Sequence, residues 1–135
     1  MAISLDYNLY TYSCIMYGTR APRFLARIQP REVRQFPAEV RRDIGYALYA
    51  AQQGEIDPSA KPLKGFGGTR VMEIVERYRT DAYRAVYTAH FETAIYVLHV
   101  FQKKSKTGIA TPKQEIDLIR RRFAEAERHD KEGQN

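Results

Sequence analysis

The sequence predicts an α+β fold, in which a small, twisted antiparallel β-sheet carries helices on one face. Three observations lead to this prediction. Apolar residues recur at helical spacing over residues 31–53, three strand-like runs then follow with short turns between them, and a helix start stands at Thr111. The order of elements is β-α-β-β-β-α. With 135 residues and 44% hydrophobic content, the chain suits one compact domain.

The first half of the chain gives one strand and one helix. Residues 23–28 alternate polar and apolar side chains and predict a strand that Pro30 ends. The helix is predicted over residues 31–53 and is broken near Pro37, which suits a first helical turn. Gly54 suits the C-terminal cap, because glycine adopts the left-handed conformation found there.

A loop rich in glycine and proline, residues 54–68, separates this helix from three strands. The strands are predicted over residues 71–78, 83–89 and 94–101. Because connections of a few residues force antiparallel neighbours, the three strands form a meander. With the helices on one side, the other sheet face is expected to stay partly uncovered and to offer a binding surface.

The last element is a helix with the clearest boundary signal in the sequence. Thr111 and Gln114 form a capping box, and Pro112 takes the first helical position. We expect the arginines of residues 120–122 to lie on the solvent side. The apolar stripe consists of Ile116, Ile119, Phe123 and Ala126.

The chain divides into three parts. Residues 1–19 are an N-terminal extension, rich in tyrosine and nearly uncharged, which forms either an extra strand or a loose arm. Residues 20–128 form the single domain, and residues 129–135 form a polar, frayed tail. We also consider Met16 as an alternative translation start, which N-terminal sequencing would test.

The charge balance favours an anionic partner, because 22 Lys and Arg outnumber 16 Asp and Glu. Nucleic acid, phosphate or an acidic protein would fit. Residues 65–68 lack the spacing of a phosphate-binding loop, and the three histidines lack metal-ligand spacing, so neither a cofactor nor a metal is expected. The chain has a single cysteine, Cys14, and no apolar run long enough to span a membrane. We therefore predict a cytoplasmic protein that does not associate with a membrane.

The candidate site is a set of cations around the end of the meander. Three lysines in four residues follow the last strand, at residues 103–106, where a rigid strand would hold them toward an anion. Two more lysines precede the sheet, and an arginine lies inside the middle strand of the meander. The full set is Lys61, Lys64, Arg84, Lys103, Lys104 and Lys106.

Each of these positions also has a structural interpretation. Lys61 and Lys64 lie in a loop, where polar residues are common. Arg84 within a strand needs either an open face or an ion pair, with Glu73, Glu76 or Glu92 as the available partners. Residues 103–106 also suit a solvated turn. His99 suits a hydrogen-bonded sheet histidine or a proton donor, and Glu73 suits a general base or the counter-charge of Arg84.

Six short segments together resemble HigB-like, phage-derived members of the RelE superfamily, the toxins of bacterial type II toxin–antitoxin systems. The segments cover parts of residues 23–128, and the pairing of Phe101-Gln102-Lys103-Lys104-Ser105 with Thr111-Pro112-Lys113 is the most specific. The others are Lys61-Pro62-Leu63-Lys64-Gly65, Val71-Met72-Glu73-Ile74, Tyr83-Arg84-Ala85-Val86-Tyr87 and Tyr96-Val97-Leu98-His99.

The resemblance implies a fold like that of the microbial ribonucleases and a metal-independent endoribonuclease. Such an enzyme cleaves mRNA in the ribosomal A site by attack of the RNA 2′-hydroxyl. Arg84 and Lys104 would hold the scissile phosphate, and Lys61, Lys64 and Lys103 would supply charge and proton transfer. His99 and Glu73 are reserve candidates for acid and base.

We expect Lys106 to contact the RNA backbone, and an exposed aromatic side chain such as Phe101 or Tyr87 to stack on a base. The sequence also departs from the family at one position. Many relatives carry an arginine where this chain has Val75, and Arg77 is the nearest substitute. The implied partner is an antitoxin with a helix-turn-helix domain, in a hetero-oligomer with the toxin.

Two other functions stay open at this point. ParE-like members of the same superfamily inhibit DNA gyrase and cleave no RNA. The chain would alternatively be an inactive, basic binding protein that survives in a prophage remnant.

Overall fold

The computed structural model describes residues 24–26, 33–68, 70–89, 91, 94–103 and 111–133. These residues form five strands and two helices, in the order β-α-β-β-β-β-α. The strands are β1 (Phe24–Ala26), β2 (Ala60–Pro62), β3 (Val71–Tyr78), β4 (Asp81–Thr88) and β5 (Ala94–Lys103). The helices are α1 (Ala38–Gln52) and α2 (Lys113–Gly133). The α+β class and the antiparallel meander of β3, β4 and β5 are confirmed.

The five strands form one sheet in the order β1-β5-β4-β3-β2. The pairs from β2 to β5 are antiparallel, whereas β1 lies parallel to β5. A parallel pair needs a long connection, and the chain between β1 and β5 contains α1 and the rest of the sheet. The additional strand is β2, which lies within the segment predicted as loop and pairs with residues 72–74 of β3.

The prediction that both helices pack on one face of the sheet is wrong. The buried stripe of α1 packs with Met72, Ile74 and Ala85, which point to one face. The stripe of α2 packs with Val71 and Val86, which point to the other. The physical reason lies in the strands themselves, because β4 after Asp81 and β5 up to Val100 are buried and have apolar side chains on both faces.

The boundaries of α1 follow the predicted signals. Pro37 adopts an extended conformation immediately before the helix, and its carbonyl accepts the N–H of Arg41 at 3.0 Å. Gly54 has φ +84 and donates its N–H to the carbonyl of Ala51, and Glu55 donates to Ala50 at 2.8 Å. A left-handed glycine thus ends the helix, as predicted.

The second helix begins near its predicted start but ends later. The N–H of Ile116 bonds to the carbonyl of Pro112 at 3.1 Å, which places Pro112 in the first turn. Ile119, Phe123 and Ala126 are buried, as the stripe requires. The helix continues through Gly133, however, rather than fraying from His129 onward. The reason is packing, since Asp130 is 5% exposed and the Tyr96 hydroxyl lies 2.9 Å from His129 Nδ1.

The predicted N-terminal extension, residues 1–19, lies outside the described residues. None of the described helices is both long enough and apolar enough to span a bilayer.

Candidate nucleic-acid interface

Strand register places most of the predicted site residues on one face of the sheet. Residues directly opposite each other in an antiparallel pair point to the same side. Lys61 pairs with Glu73, Glu73 with Val86, and Val86 with His99, so one row crosses four strands. A row of four strands spans about 14 Å. The sequence-predicted Lys61, Glu73 and His99 therefore share a face, which is the face that α2 packs on.

Two further rows continue this face beyond the part that the apolar stripe of α2 covers. Val75 pairs with Arg84, and Arg84 pairs with Phe101. The last row joins Arg77, Ala82 and Lys103. The open sheet face is the name used below for the side chains of all three rows that reach solvent: Lys61, Val75, Arg77, Phe101 and Lys103. Lys61 and Arg77 are exposed, and the other three are half-buried.

A β-bulge explains how His99 joins this face. The register between β4 and β5 shifts at Val86 and Tyr87, so that Val86 pairs with His99 while Tyr87 pairs with Val97. Leu98 is the extra residue. A bulge of this kind re-aims the side chains that follow it. Leu98 packs in the α2-side core, and His99 and Phe101 follow on the same side of the sheet.

Arg84 and Glu73 form a buried ion pair on this same face of the sheet, next to the start of α2. Arg84 Nη1 lies 2.5 Å from Glu73 Oε1, and each residue is 2% exposed. The hydroxyl of Thr111 donates to Glu73 Oε1 at 3.0 Å and accepts from Arg84 Nη1 at 3.1 Å. The ion-pair interpretation of Arg84 therefore describes this arrangement, in which its guanidinium is directed at a carboxylate and a hydroxyl rather than at solvent.

His99 is engaged on both ring nitrogens. Nε2 contacts the carboxylate of Glu115, and Nδ1 lies 3.2 Å from Arg122 Nη1. Because an arginine can only donate, Nδ1 accepts and the ring proton belongs on Nε2, facing Glu115. Arg122 also donates to the carbonyl of Leu98 at 2.8 Å. His99 is 5% exposed and stacks on Phe101 with ring centroids 5.0 Å apart, so it fits the hydrogen-bonded sheet histidine.

Three candidates lie apart from these rows. Lys64 is exposed in the loop after β2. Lys104 and Lys106 lie outside the described residues, so their predicted phosphate and RNA contacts stay predictions. The roles predicted for the remaining candidates also stay predictions, because position alone does not test them.

The sequence interpretation missed three side chains that hold the site together. Thr111 was assigned only to a helix cap, and Glu115 and Arg122 were not singled out. A signal existed for the last two, since Glu115, Ile119, Arg122 and Ala126 recur at helical spacing and so share the buried side of α2. Arg120 and Arg121 are exposed as predicted, whereas Arg122 is half-buried.

Three side chains on the opposite face of the sheet have a raised pKa, namely Glu76, Tyr83 and Tyr87. Burial raises the pKa of Tyr87 to about 12, with a smaller contribution from Asp57. Tyr87 is 0% exposed, and its hydroxyl has no hydrogen-bond partner among the described residues. Partial burial also raises the pKa of Glu76, and the charge of Asp43 raises it further. No group of three or more His, Cys, Asp or Glu within the described ranges could hold a metal ion.

Comparison with known protein families identifies the family of this chain. The family model described as phage derived protein Gp49-like (DUF891) matches residues 31–124. The chain belongs to this Gp49-like family. The match spans α1, the meander and the first half of α2, and therefore includes every described candidate residue. Comparisons with curated proteins and with solved structures gave no match.

Proposed function

We propose that this Gp49-like protein is the toxin of a type II toxin–antitoxin system, of the HigB-like branch of the RelE superfamily, and that it cleaves mRNA on the ribosome. One observation carries the proposal: strand register places Lys61, Arg77 and Lys103 on the same face of the sheet as the partly exposed ring of Phe101. Fixed cations beside an aromatic ring suit single-stranded RNA, which offers phosphates and unstacked bases. Membership of a phage-derived family supports the same assignment.

The proposed chemistry needs a nucleophile that RNA itself supplies. The 2′-oxygen attacks the adjacent phosphorus, the bond from phosphorus to the 5′-oxygen breaks, and the products carry a 2′,3′-cyclic phosphate and a 5′-hydroxyl. A base accepts the 2′-hydroxyl proton, and an acid donates a proton to the leaving 5′-oxygen. The protein must also stabilise the extra negative charge of the transition state, which preorganised cations do best.

Within this proposal, Lys61, Arg77 and Lys103 are the side chains that contact phosphate. Lys61 and Arg77 already reach solvent, whereas Arg84 would have to leave Glu73 and Thr111 before it could bind an anion. Arg84 therefore serves as a positioning residue that holds Glu73 and Thr111 in place beside the open sheet face. Phe101, whose ring is oriented by its stack on His99, offers its other side to a base.

The proposed partner is a helix-turn-helix antitoxin that binds the toxin through an acidic surface, in a cytoplasmic hetero-oligomer. Complementary charge would steer this association, because the chain carries a net charge of +6.

A second candidate, gyrase inhibition without RNA cleavage, is favoured by one observation. The histidine and the carboxylate that sequence analysis reserved for acid and base, His99 and Glu73, are both buried and engaged with neighbouring side chains. A protein that only binds its target needs neither group. In that case the open sheet face would contact a protein or DNA.

Induced expression in bacteria tests the proposal. Wild type is expected to arrest growth, and the double variant Lys61→Gln/Lys103→Gln is expected to relieve the arrest, because both substitutions remove charge from the open sheet face. Lys131→Gln, an exposed lysine in the last turn of α2, is the matched control and should stay toxic. Full toxicity of the double variant would contradict the assignment of this face.

A further inference from the structure

A second group of cations lies where the loop between β2 and β3 packs against α2. The guanidinium carbon of Arg120 lies 4.8 Å from the centre of the Phe66 ring, and that of Arg70 lies 5.2 Å from the centre of the Phe123 ring. The two rings contact each other edge to face, with centroids 6.1 Å apart. One aromatic pair thus holds an arginine on each of its two members.

The loop backbone also fixes Arg120. Gly65 has φ +95, and a Cβ built there would stand 3.0 Å from Arg120 Nη2. The guanidinium therefore rests against the loop at a position that only glycine occupies without strain. An arginine that is already held in place loses less rotamer freedom when it binds a ligand, so this packing favours binding.

The same packing determines what this surface can recognise. Phe66 and Phe123 are only 7% and 9% exposed, so their rings are not available to stack on bases. The charges themselves remain accessible, because the Arg70 side chain is 44% exposed and Lys64 and Arg120 are exposed. Glu127 lies 3.3 Å from Arg70 and is 34% exposed, which makes it a solvated partner that a phosphate can replace.

We propose that Lys64, Arg70 and Arg120 form a second nucleic-acid surface, which binds the phosphate backbone without reading bases. We call it the loop–helix cation surface. Its arginines lie apart from Arg77 and Lys103 of the open sheet face, because Phe66 packs with Val71 and Val86, whereas Arg77 and Lys103 lie in the row at the other end of β3. Fixed arginines suit a duplex, whose phosphates are regularly placed and whose bases are covered. This proposal goes beyond the nuclease proposal and does not depend on it.

The experiment measures binding of the full chain to a short RNA duplex, and to a DNA duplex of the same sequence, over a series of salt concentrations. Each phosphate contact that is lost lowers the slope of log affinity against log salt by roughly 0.9. Arg70→Gln/Arg120→Gln should therefore lower the slope by roughly 2. When the salt concentration is raised fourfold, wild type should therefore lose about tenfold more affinity than this variant. The two duplexes show whether the surface distinguishes RNA from DNA.

Two further variants keep the result interpretable. Arg34→Gln/Arg42→Gln removes the same charge from two exposed positions on the other side of the sheet. Arg42 lies in α1 and Arg34 precedes it. The salt slope of this variant should equal that of wild type. Arg70→Lys/Arg120→Lys keeps both charges and should also keep the slope. An unchanged slope in the Gln pair, or an equal loss in the Lys pair, would overturn the proposal. Because the duplexes involve neither ribosome nor cleavage, absence of mRNA cleavage in cells would sink the nuclease proposal and leave this one standing.

Discussion

Arg84 and Glu73 are diagonal neighbours on adjacent strands, and their side chains meet at 2.5 Å with 2% of each residue exposed. In the strand register, Glu73 stands opposite Val86 and Arg84 stands opposite Val75, so the pair crosses between two rows of the same sheet face. Thr111 closes the group from the start of α2. The chain thereby ties two strands and a helix together through one buried charge pair.

Removing the negative partner should destabilise the protein strongly. Glu73→Gln leaves the buried guanidinium of Arg84 without a counter-charge, which costs about 3 to 5 kcal/mol when one partner of a buried pair is lost. Urea denaturation of wild type and variant measures the change in the free energy of unfolding. The double variant Glu73→Leu/Arg84→Met should lose less than Glu73→Gln, since neither charge then remains buried.

A solvated ion pair provides the control for this first prediction. Glu127→Gln removes the partner of Arg70. The Arg70 side chain is 44% exposed and the Glu127 side chain is 34% exposed, so solvent weakens this pair. The expected cost is below about 1 kcal/mol. Equal losses for Glu73→Gln and Glu127→Gln would contradict the structural role given to the buried pair.

The hydroxyl of Thr111 should contribute to stability through its two hydrogen bonds. Thr111→Val keeps the shape of the side chain but removes a donor to Glu73 and an acceptor for Arg84, so we expect a loss of about 1 to 2 kcal/mol. Thr80→Val, in the exposed turn between β3 and β4, is the control and should change stability by less than about 0.5 kcal/mol. If the two variants unfold at the same urea concentration, Thr111 does not anchor the start of α2.

Tyr87 should make the protein sensitive to alkaline pH. Burial raises its pKa from the ordinary tyrosine value of 10.0 to about 12, so the folded state favours the protonated phenol. This contribution to stability is fully present below pH 10 and is lost as the pH rises toward 12. At neutral pH, the free energy of unfolding of Tyr87→Phe should equal that of wild type or exceed it by up to about 1 kcal/mol. The reason is that the buried hydroxyl of Tyr87 has no hydrogen-bond partner among the described residues.

The pH series decides this prediction. The advantage of Tyr87→Phe over wild type should grow from pH 10 to 12, as measured by urea denaturation at each pH. An advantage that is constant across this range would show that Tyr87 ionises as readily in the folded chain as in the unfolded one.

Glu76 should make the free energy of unfolding depend on pH in the acidic range. Its pKa is raised by burial, then by Asp43 and Asp57, while a hydrogen bond from Ser59 acts in the opposite direction. A carboxyl whose folded pKa is raised destabilises the folded state when it is ionised, and this cost disappears as the pH falls through the folded pKa. Glu76→Gln should therefore be more stable than wild type at pH 7 by less than about 1 kcal/mol, since Glu76 is partly solvated.

Urea denaturation of Glu76→Gln and wild type at a neutral and an acidic pH tests the direction of this effect. The difference between Glu76→Gln and wild type should shrink on acidification, and Glu55→Gln, in the exposed loop after α1, controls for the loss of one negative charge. A difference that widens at acidic pH would reverse the proposed effect of Asp43 and Asp57.

Local signals gave the meander and both helices, because alternation, turn residues and helix ends act over a few neighbouring residues. The three-residue strand β2 escaped prediction, since a run that ends at Pro62 in a segment rich in glycine and proline has too little pattern to detect. The helix faces were misassigned because the apolar stripe of a helix does not say which side of a sheet it covers. The continuous burial of β4 contained that information, as a strand with apolar residues on both faces needs two covers.

The candidate site was predictable as a set of residues but not as a set of contacts. Alternation places His99 and Lys103 on the same side of β5, whereas strand register brings Lys61 and Glu73 to that face. Whether Arg84 met an anion or a carboxylate depended on the register between β3 and β4 and on the position of Thr111. Those are long-range relationships, with sequence separations of 11 and 27 residues, that a single sequence does not contain.

Mapping of RNA 5′ ends after induction in growing cells is the sharpest test of whether the protein cleaves mRNA. We expect new ends within translated reading frames, absent from untranslated RNAs, and bearing 5′-hydroxyls that require phosphorylation before they can be ligated. These ends should decrease in Lys61→Gln/Lys103→Gln and persist in Lys131→Gln. Growth arrest without new ends, accompanied by loss of DNA supercoiling, would contradict the claim and favour the gyrase-inhibitor alternative.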